Sequence, residues 1–169
     1  MADVFLDLDN VTGESLDYDH MDEIEVYGWN WGISNDAPFS LHGKSDGTPH
    51  ATVQHLTIEK FFDSASVTLA QFCALGTHIE KGYFACRKNT SDNREASSDY
   101  LTIELTDIKV LSIDWPAKTA GEHAVTETVV LQFAHFDLAY KKQANEGQLY
   151  GRMNFEFDVP EGKAAAAKA

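Results

Sequence analysis

The chain has 169 residues, of which 43% are hydrophobic, a length and composition that fit one folded domain with a substantial core. Its 27 acidic and 13 basic residues give a formal net charge of −14, which argues against binding nucleic acid or an anionic membrane through the whole surface. The first residues lack the pattern of a cleaved signal peptide, and no segment approaches the roughly 20 apolar residues of a membrane span. We expect a chain that folds in the cytoplasm.

The first part of the chain predicts two strands joined by an acidic turn. The first strand shows the period-two alternation of a half-buried strand, with Val4, Leu6 and Leu8 alternating with Asp3, Asp7 and Asp9. In the second strand, apolar residues occupy even-numbered positions over 24–26 and odd-numbered positions over 27–31. This one-residue change of phase moves the apolar side chains to the other face of the strand. Trp29 and Trp31 then share one face, and Asn30 points to the other. Core packing is the favoured interpretation of the two tryptophans, and a stacking platform for a sugar or nucleic acid is the alternative.

A long connection follows, Asn35–Ala51, which is polar and irregular but contains Phe39 and Leu41. Long loops in compact domains are often functional. Burying each of these two apolar side chains would contribute about 1.5–3 kcal/mol. We therefore expect this loop, including His42 and Lys44, to contact another subunit rather than to close a pocket in its own chain.

One helix is predicted, over about Ser64–Leu75, and must pack on the sheet because it is too short to be stable alone. Asp63 or Ser64 can accept the free N–H groups of its first turn, and Gly76 is placed to end it. Its apolar stripe, at spacing i, i+3 and i+4, is Leu69, Phe72 and Cys73. We expect Cys73 and Cys86 to be small buried core residues, with a disulfide between them as the less favoured alternative.

The second half of the chain predicts further strands that also change phase. The alternating apolar residues include Leu101, Ile103 and Leu105; Ile108 and Val110; Val129, Leu131 and Phe133; Phe136, Leu138 and Tyr140; and Met153, Phe155, Phe157 and Val159. β-Bulges or sharp bends at the slips would keep one core, as in a barrel or tight sandwich. The alternative is a strand buried on both faces, for example by a neighbouring subunit. Residues 161–169 read as a flexible Ala/Lys-rich tail.

Several patterns that suggest chemistry fail on spacing. Gly43-Lys44-Ser45 lacks the earlier glycine of a phosphate-binding loop. Ser15 lacks the following glycine of a nucleophile elbow. The acidic residues Asp17, Asp19, Asp22 and Glu23 do not match a calcium loop and read as solvated. No metal-binding spacing joins the seven histidines, which are His20, His42, His50, His55, His78, His123 and His135. We therefore predict no catalytic, cofactor or metal residues.

The order of several short motifs resembles the haemolysin-coregulated protein (Hcp) family over roughly residues 3–158. These motifs are Gly13-Glu14-Ser15, His20, Glu23-Ile24, Trp29-Asn30-Trp31-Gly32, and then Phe61, Asp63, Ser64, Ser66, Leu69, Cys73, Gly76 and His78. Members of this family form the inner tube, and an exported component, of bacterial type VI secretion systems, and are similar to phage tail tube proteins.

The resemblance implies a mainly β fold: two packed antiparallel sheets forming a β-barrel, with one short α-helix. Residues 1–160 would form a single tube domain. The resemblance also implies a homo-hexameric ring, rings stacked into a tube, and contacts with the sheath, the spike and small effectors. Asn30 would face the channel and its cargo. The protein would leave the cytoplasm through the type VI system, without a cleaved signal peptide.

Two other functions compete with this reading. The first is a small-ligand or carbohydrate-binding β-sandwich that uses the tryptophan pair. The second is an enzyme that uses the acidic residues, which would need converging carboxylates with raised pKa values. Quaternary structure separates the tube subunit from both.

Overall fold

The computed structural model describes residues 4–35, 51–88, 98–116, 124–143 and 149–164. Its elements are β1 (Val4–Leu8), β2 (Ile24–Glu25), β3 (Gly28–Asn30), β4 (Ile33–Asn35), β5 (Ala51–Val53), β6 (Leu56–Phe61), α1 (Ser64–Leu75), β7 (His78–Lys88), β8 (Ser98–Asp114), β9 (Thr126–Gln143), β10 (Leu149–Asp158) and β11 (Lys163–Ala164). The predicted class, mainly antiparallel β with one helix, is confirmed in this part of the chain.

Nine of the strands form one antiparallel sheet, whose longest path runs β11-β10-β9-β8-β7-β1-β2. The long strand β9 is its branch point: the first half pairs with β6, and the second half pairs with β10. β6 also pairs with β3, on its other edge. The strands β4 and β5 form a separate two-stranded sheet at the base of the connection 36–50.

The expected barrel of two packed sheets needs correction, because the sheet curls strongly but is not closed by a continuous ladder. Within the described residues, β2 pairs with β1 and β3 pairs with β6, and the chain passes from one to the other at Val26–Tyr27. There the Val26 N–H donates to the Val4 carbonyl and the Tyr27 N–H donates to the Glu59 carbonyl, both at 3.0 Å. Two single hydrogen bonds therefore span the place where a strand would close the barrel.

The phase changes predicted for residues 101–110 and 129–140 arise at a bend that β8 and β9 share with β7. Two inward-pointing rows of cross-strand neighbours lie three residues apart: Ile79, Ile108 and Phe133, and then Gly82, Leu105 and Phe136. Residues three apart in a regular strand point to opposite faces, so all three strands change phase together between these rows. Asp107 lies in the bend with φ 53°. A Cβ on Gly82 would lie 2.7 Å from the Leu8 and Ile108 side chains, which explains the glycine at this corner.

The helix has the predicted bounds and caps. The Asp63 carboxylate accepts from the Ala65 N–H at 2.9 Å, the Ser66 hydroxyl accepts from the Asp63 N–H at 3.0 Å, and Gly76 ends the helix at φ 64°. Leu69 is fully buried, whereas Phe72 and Cys73 are half-buried against the core. Both cysteines are free, and Cys86 is buried as expected.

Candidate functional site

The strand register places Asn30 on the outer face of the sheet. Asn30 pairs with Thr57, which pairs with Val130. In the adjacent row Trp29 pairs with Ile58, which is fully buried. Because neighbouring residues in a strand point to opposite faces, the Asn30 row faces away from the core, and Asn30 itself is exposed. The predicted phase of this strand is therefore confirmed.

The row that contains Asn30 is uncharged: Thr57 lies beside it on β6, and Val130 and Ser112 follow on β9 and β8. In the next row of the same face, Thr128 lies between Glu59 and Asp114. The carboxylate of Glu59 lies across β3, 2.6 Å from where a Cβ on Gly28 would be. Such a surface can donate and accept hydrogen bonds without presenting a positive charge.

Both tryptophans pack against core rings, although neither lies at the centre of the core. The Trp29 ring meets Phe84 edge-on at 5.0 Å and keeps 38% of its surface exposed. Trp31 is half-buried, meets Phe136 edge-on at 4.9 Å and donates its indole N–H to the Gln54 carbonyl at 3.0 Å. These contacts favour packing over a stacking platform.

The predicted inter-subunit residues Phe39, Leu41, His42 and Lys44 lie outside the described residues. The structure describes the base of their loop, where β4 and β5 pair from Ile33 with Val53 to Asn35 with Ala51.

The sequence reading missed an organised polar cluster in the acidic turn between β1 and β2. Arg87 of β7, only 8% exposed, lies 2.7 Å from an Asp17 oxygen and 3.2 Å from an Asp19 oxygen. His20 is buried, with its ring nitrogens 2.8 Å from a Glu23 oxygen and 3.2 Å from an Asp99 oxygen. The expectation of a solvated acidic loop is therefore wrong for Asp17 and Glu23, which are partly buried against Arg87 and His20, whereas Asp19 and Asp22 are exposed.

The environment of this cluster shifts two carboxyl pKa values in opposite directions. Burial acts to raise the pKa of Asp17, but the Asp19 N–H and the Arg87 guanidinium outweigh burial and hold this pKa below its ordinary value. For Glu23, burial outweighs the hydrogen bond from His20 and raises the pKa of the carboxyl. The cluster could not be predicted from the sequence, because it depends on Arg87, which is 70 positions from Asp17 along the chain.

The turn also shows why Gly13 is needed. Its φ is not positive, so a left-handed backbone is not the reason for the glycine. A Cβ at Gly13 would instead lie 2.2 Å from the Glu23 carbonyl oxygen, so the glycine permits two backbone segments to approach closely. Ser15 is buried in the same turn: its hydroxyl accepts from the nearby Asp17 N–H at 3.2 Å, and its own N–H donates to the Glu23 carbonyl at 3.1 Å.

A second buried ionic network has a structural role. The Lys60 ammonium donates to Glu127 at 2.8 Å, to Asp63 at 2.6 Å and to the Ser66 hydroxyl at 3.0 Å. The other Glu127 oxygen accepts from the Trp115 indole at 2.8 Å. The ammonium also donates to the Phe61 carbonyl at 2.8 Å. Because Glu127 lies on β9 while Asp63 caps α1 and Ser66 lies in its first turn, this network fixes α1 to the sheet.

Within the described residues, no group of three or more His, Cys, Asp and Glu side chains lies close enough together to hold a metal ion. No helix in the same part of the chain has the length and apolar character needed to cross a membrane.

The geometry defines a mainly β protein, in which one curled antiparallel sheet carries a single capped helix. The family profile "Type VI secretion system effector, Hcp" matches residues 5–140. Protein Hcp1 of Pseudomonas aeruginosa is 33% identical over 146 residues, which cover 86% of this chain and 87% of that protein. The chain therefore belongs to the Hcp family of type VI secretion proteins, and the resemblance seen in the sequence is confirmed.

Solved structures agree with this assignment. The crystal structure of Hcp1 from Salmonella typhimurium matches with a TM-score of 0.75 at 30% identity. A second structure, of a type six secretion system protein, matches with a TM-score of 0.86 at 24% identity and so supports the fold. Each match covers 98% of this chain and 100% of the other.

Proposed function

We propose that this chain is a structural tube subunit of a type VI secretion system. It assembles into homo-hexameric rings, the rings stack, and small effectors travel in the central channel. The subunit has no catalytic activity and needs no cofactor. Its other partners are the sheath and spike of the system, and it leaves the cytoplasm with the secreted tube.

The observation that carries this proposal is the outward row containing Asn30, in a chain that belongs to the Hcp family. Asn30 and Thr57 are neutral polar neighbours on a sheet face turned away from the core. Repeated around a ring, this face would line the channel. At Asn30 the lining would be a neutral amide, which can both donate and accept hydrogen bonds with varied cargo. The loop carrying Phe39, Leu41, His42 and Lys44 would contact the neighbouring subunit or ring.

Substitution of Asn30 tests the proposal. Native mass spectrometry should find six subunits for the wild type and for Asn30→Gln, Asn30→Arg and the control Gln71→Arg, which changes an exposed residue of α1. Retention of a co-expressed effector should fall in both Asn30 variants. The loss should be larger for Arg, which adds bulk and charge at each copy, and Gln71→Arg should retain the effector normally.

Two results would contradict the proposal. A wild-type protein that stays monomeric at tens of micromolar is not a tube subunit. Rings that retain the effector equally well with Asn30→Arg would remove Asn30 from the cargo surface.

A further inference from the structure

The turn between β1 and β2 covers Phe5 on the outer face of the sheet. Phe5 precedes Leu6 of the core, so its side chain points away from the core, yet it is only 1% exposed. The His20 ring stacks on the Phe5 ring with 4.2 Å between centroids and 7° between planes. The Arg87 guanidinium lies 5.7 Å from the centroid of the same ring. His20 is therefore the side chain of the turn that closes over Phe5.

Both nitrogens of the His20 ring face carboxylate oxygens. Nδ1 lies 2.8 Å from a Glu23 oxygen, Nε2 lies 3.2 Å from an Asp99 oxygen, and the residue is 4% exposed. A neutral imidazole has one N–H donor and one lone pair, whereas an imidazolium has two donors. With a neutral ring, one of the two contacts would place a lone pair against a carboxylate oxygen in a buried site, which is unfavourable. The geometry therefore fits a site that holds one additional proton.

The additional proton belongs on the ring rather than on a carboxylate, because an imidazole is ordinarily the stronger base. Burial raises the pKa of the Glu23 carboxyl, so this site disfavours a carboxylate whose charge is not neutralised. An imidazolium at His20 supplies a positive charge next to both Glu23 and Asp99.

The other ionisable groups around the ring also favour a cation at His20. Among the described residues, those that lie near the ring or its two partners are Asp17 of the turn, Asp7 on β1, Glu25 on β2, and Tyr83, Cys86 and Arg87 on β7. Arg87 is the one cation in this set and already pairs with Asp17 and Asp19. Burial raises the pKa of Tyr83 and that of Cys86, the latter to about 11, so neither group accounts for a change between pH 7 and pH 9.

We propose that His20 carries a proton on both ring nitrogens at neutral pH, and that loss of one of them in alkaline solution releases the turn from Phe5. In the closed turn the imidazolium donates to Glu23 and to Asp99. An open turn offers the ring no such partners and holds the proton less tightly, so the closed turn is stable near neutral pH and weakens as the pH rises. Once the proton passes to solvent, the neutral ring can donate to only one of the two carboxylates.

The protonation state of the ring can be measured directly. Two-bond ¹H–¹⁵N correlation spectra of ¹⁵N-labelled protein distinguish a protonated ring nitrogen from one that has a lone pair. At pH 7.5 both His20 nitrogens should be protonated, whereas an exposed histidine such as His55 should mainly hold one proton. A His20 ring with a single proton at this pH would overturn the proposal. The switch lies within one subunit, so this result is independent of whether rings form.

Amide hydrogen exchange measures the opening of the turn. The Gly13 N–H donates to the Asp22 carbonyl at 2.7 Å, and the Ser15 N–H donates to the Glu23 carbonyl at 3.1 Å. In the wild type, the protection factors of these two amides, corrected for the intrinsic exchange rate, should fall by up to about tenfold per pH unit between pH 7 and pH 9. Protection factors that stay constant over this range would contradict the release of the turn.

A variant that keeps the contacts with a neutral ring provides the decisive comparison. In Glu23→Gln the side-chain amide can donate to Nδ1, while the Nε2–H donates to Asp99. The protection factors of Gly13 and Ser15 should therefore no longer depend on pH in this variant. The control Asp22→Asn changes an exposed acid of the same turn and should keep the pH response of the wild type.

The same pH dependence in Glu23→Gln and in the wild type would overturn the proposal. Far-UV circular dichroism verifies folding. If Glu23→Gln does not fold, Asp99→Asn replaces it, because the new amide can donate to Nε2 while the Nδ1–H donates to Glu23.

Discussion

The Cys86 thiol shows how the interior of the sheet controls the chemistry of a single side chain. Burial, with a smaller contribution from the charge of Asp99, raises the pKa of Cys86 to about 11. At neutral pH this thiol is therefore protonated and a poor nucleophile. The half-buried Cys73 is the more accessible of the two sites for a thiol reagent.

The raised pKa of Cys86 predicts a loss of stability in alkaline solution. The folded chain holds this proton more tightly than the unfolded chain, so the stabilising contribution is complete below the ordinary pKa of 9.0 and is lost as the pH rises toward about 11. The loss from this group should be roughly 2–3 kcal/mol. Urea unfolding at pH 8 and pH 11 should show a smaller change for Cys86→Ala than for the wild type. Equal changes in the two proteins would contradict the prediction.

At the scale of elements, the Lys60–Glu127 pair links the strands β6 and β9, and Ser66 of α1 bonds to both residues. The two residues are cross-strand partners, both completely buried. Glu127→Gln should lower the free energy of unfolding by about 3 kcal/mol, near the low end for a broken buried pair because Asp63 still faces the ammonium. The control Glu161→Gln, in an exposed pair with Lys163, should cost less than about 1 kcal/mol. Urea denaturation measures both, and a Glu127→Gln cost as small as the control's would show that the pair is not stabilising.

The helix and this pair also illustrate how far the sequence predicts structure. The bounds of α1 were predictable because capping depends on Asp63, Ser66 and Gly76, which lie within or beside the helix. The Lys60–Glu127 pair joins residues 67 positions apart and depends on the register of β6 against β9, which no local pattern specifies. The phase of Asn30 followed from the pleat alone, whereas the role of Arg87 in the acidic turn required the pairing of β7 with β1.

For the whole molecule, net charge should control how rings associate. Six copies, each with a formal charge of −14, would carry about −84, so stacked rings repel one another at low ionic strength. Added salt shortens the range of this repulsion. Sedimentation velocity should therefore show longer stacks as sodium chloride is raised. Stacks that dissociate with added salt would indicate that attractive charge pairs join the rings.

The closure of the fold could be predicted only in part. Periodicity revealed the phase changes in β8 and β9. It did not reveal the change in β7, nor that the three changes fall in one line across the sheet, because that depends on the pairing between strands. The seam at Val26–Tyr27 coincides with a phase slip that the sequence shows, but whether such a slip leaves the sheet open depends on which strands pair on either side of it.

The aligned bend in β7, β8 and β9 restricts how sequences of this lineage can change in length. One residue inserted into a single strand would turn the side chains beyond the insertion to the other face, while the two neighbouring strands kept their orientation. Gains and losses of residues in evolution should therefore accumulate in the connections after β7 and β9. Within these three strands, a change in length would survive only if a second change nearby compensated for it.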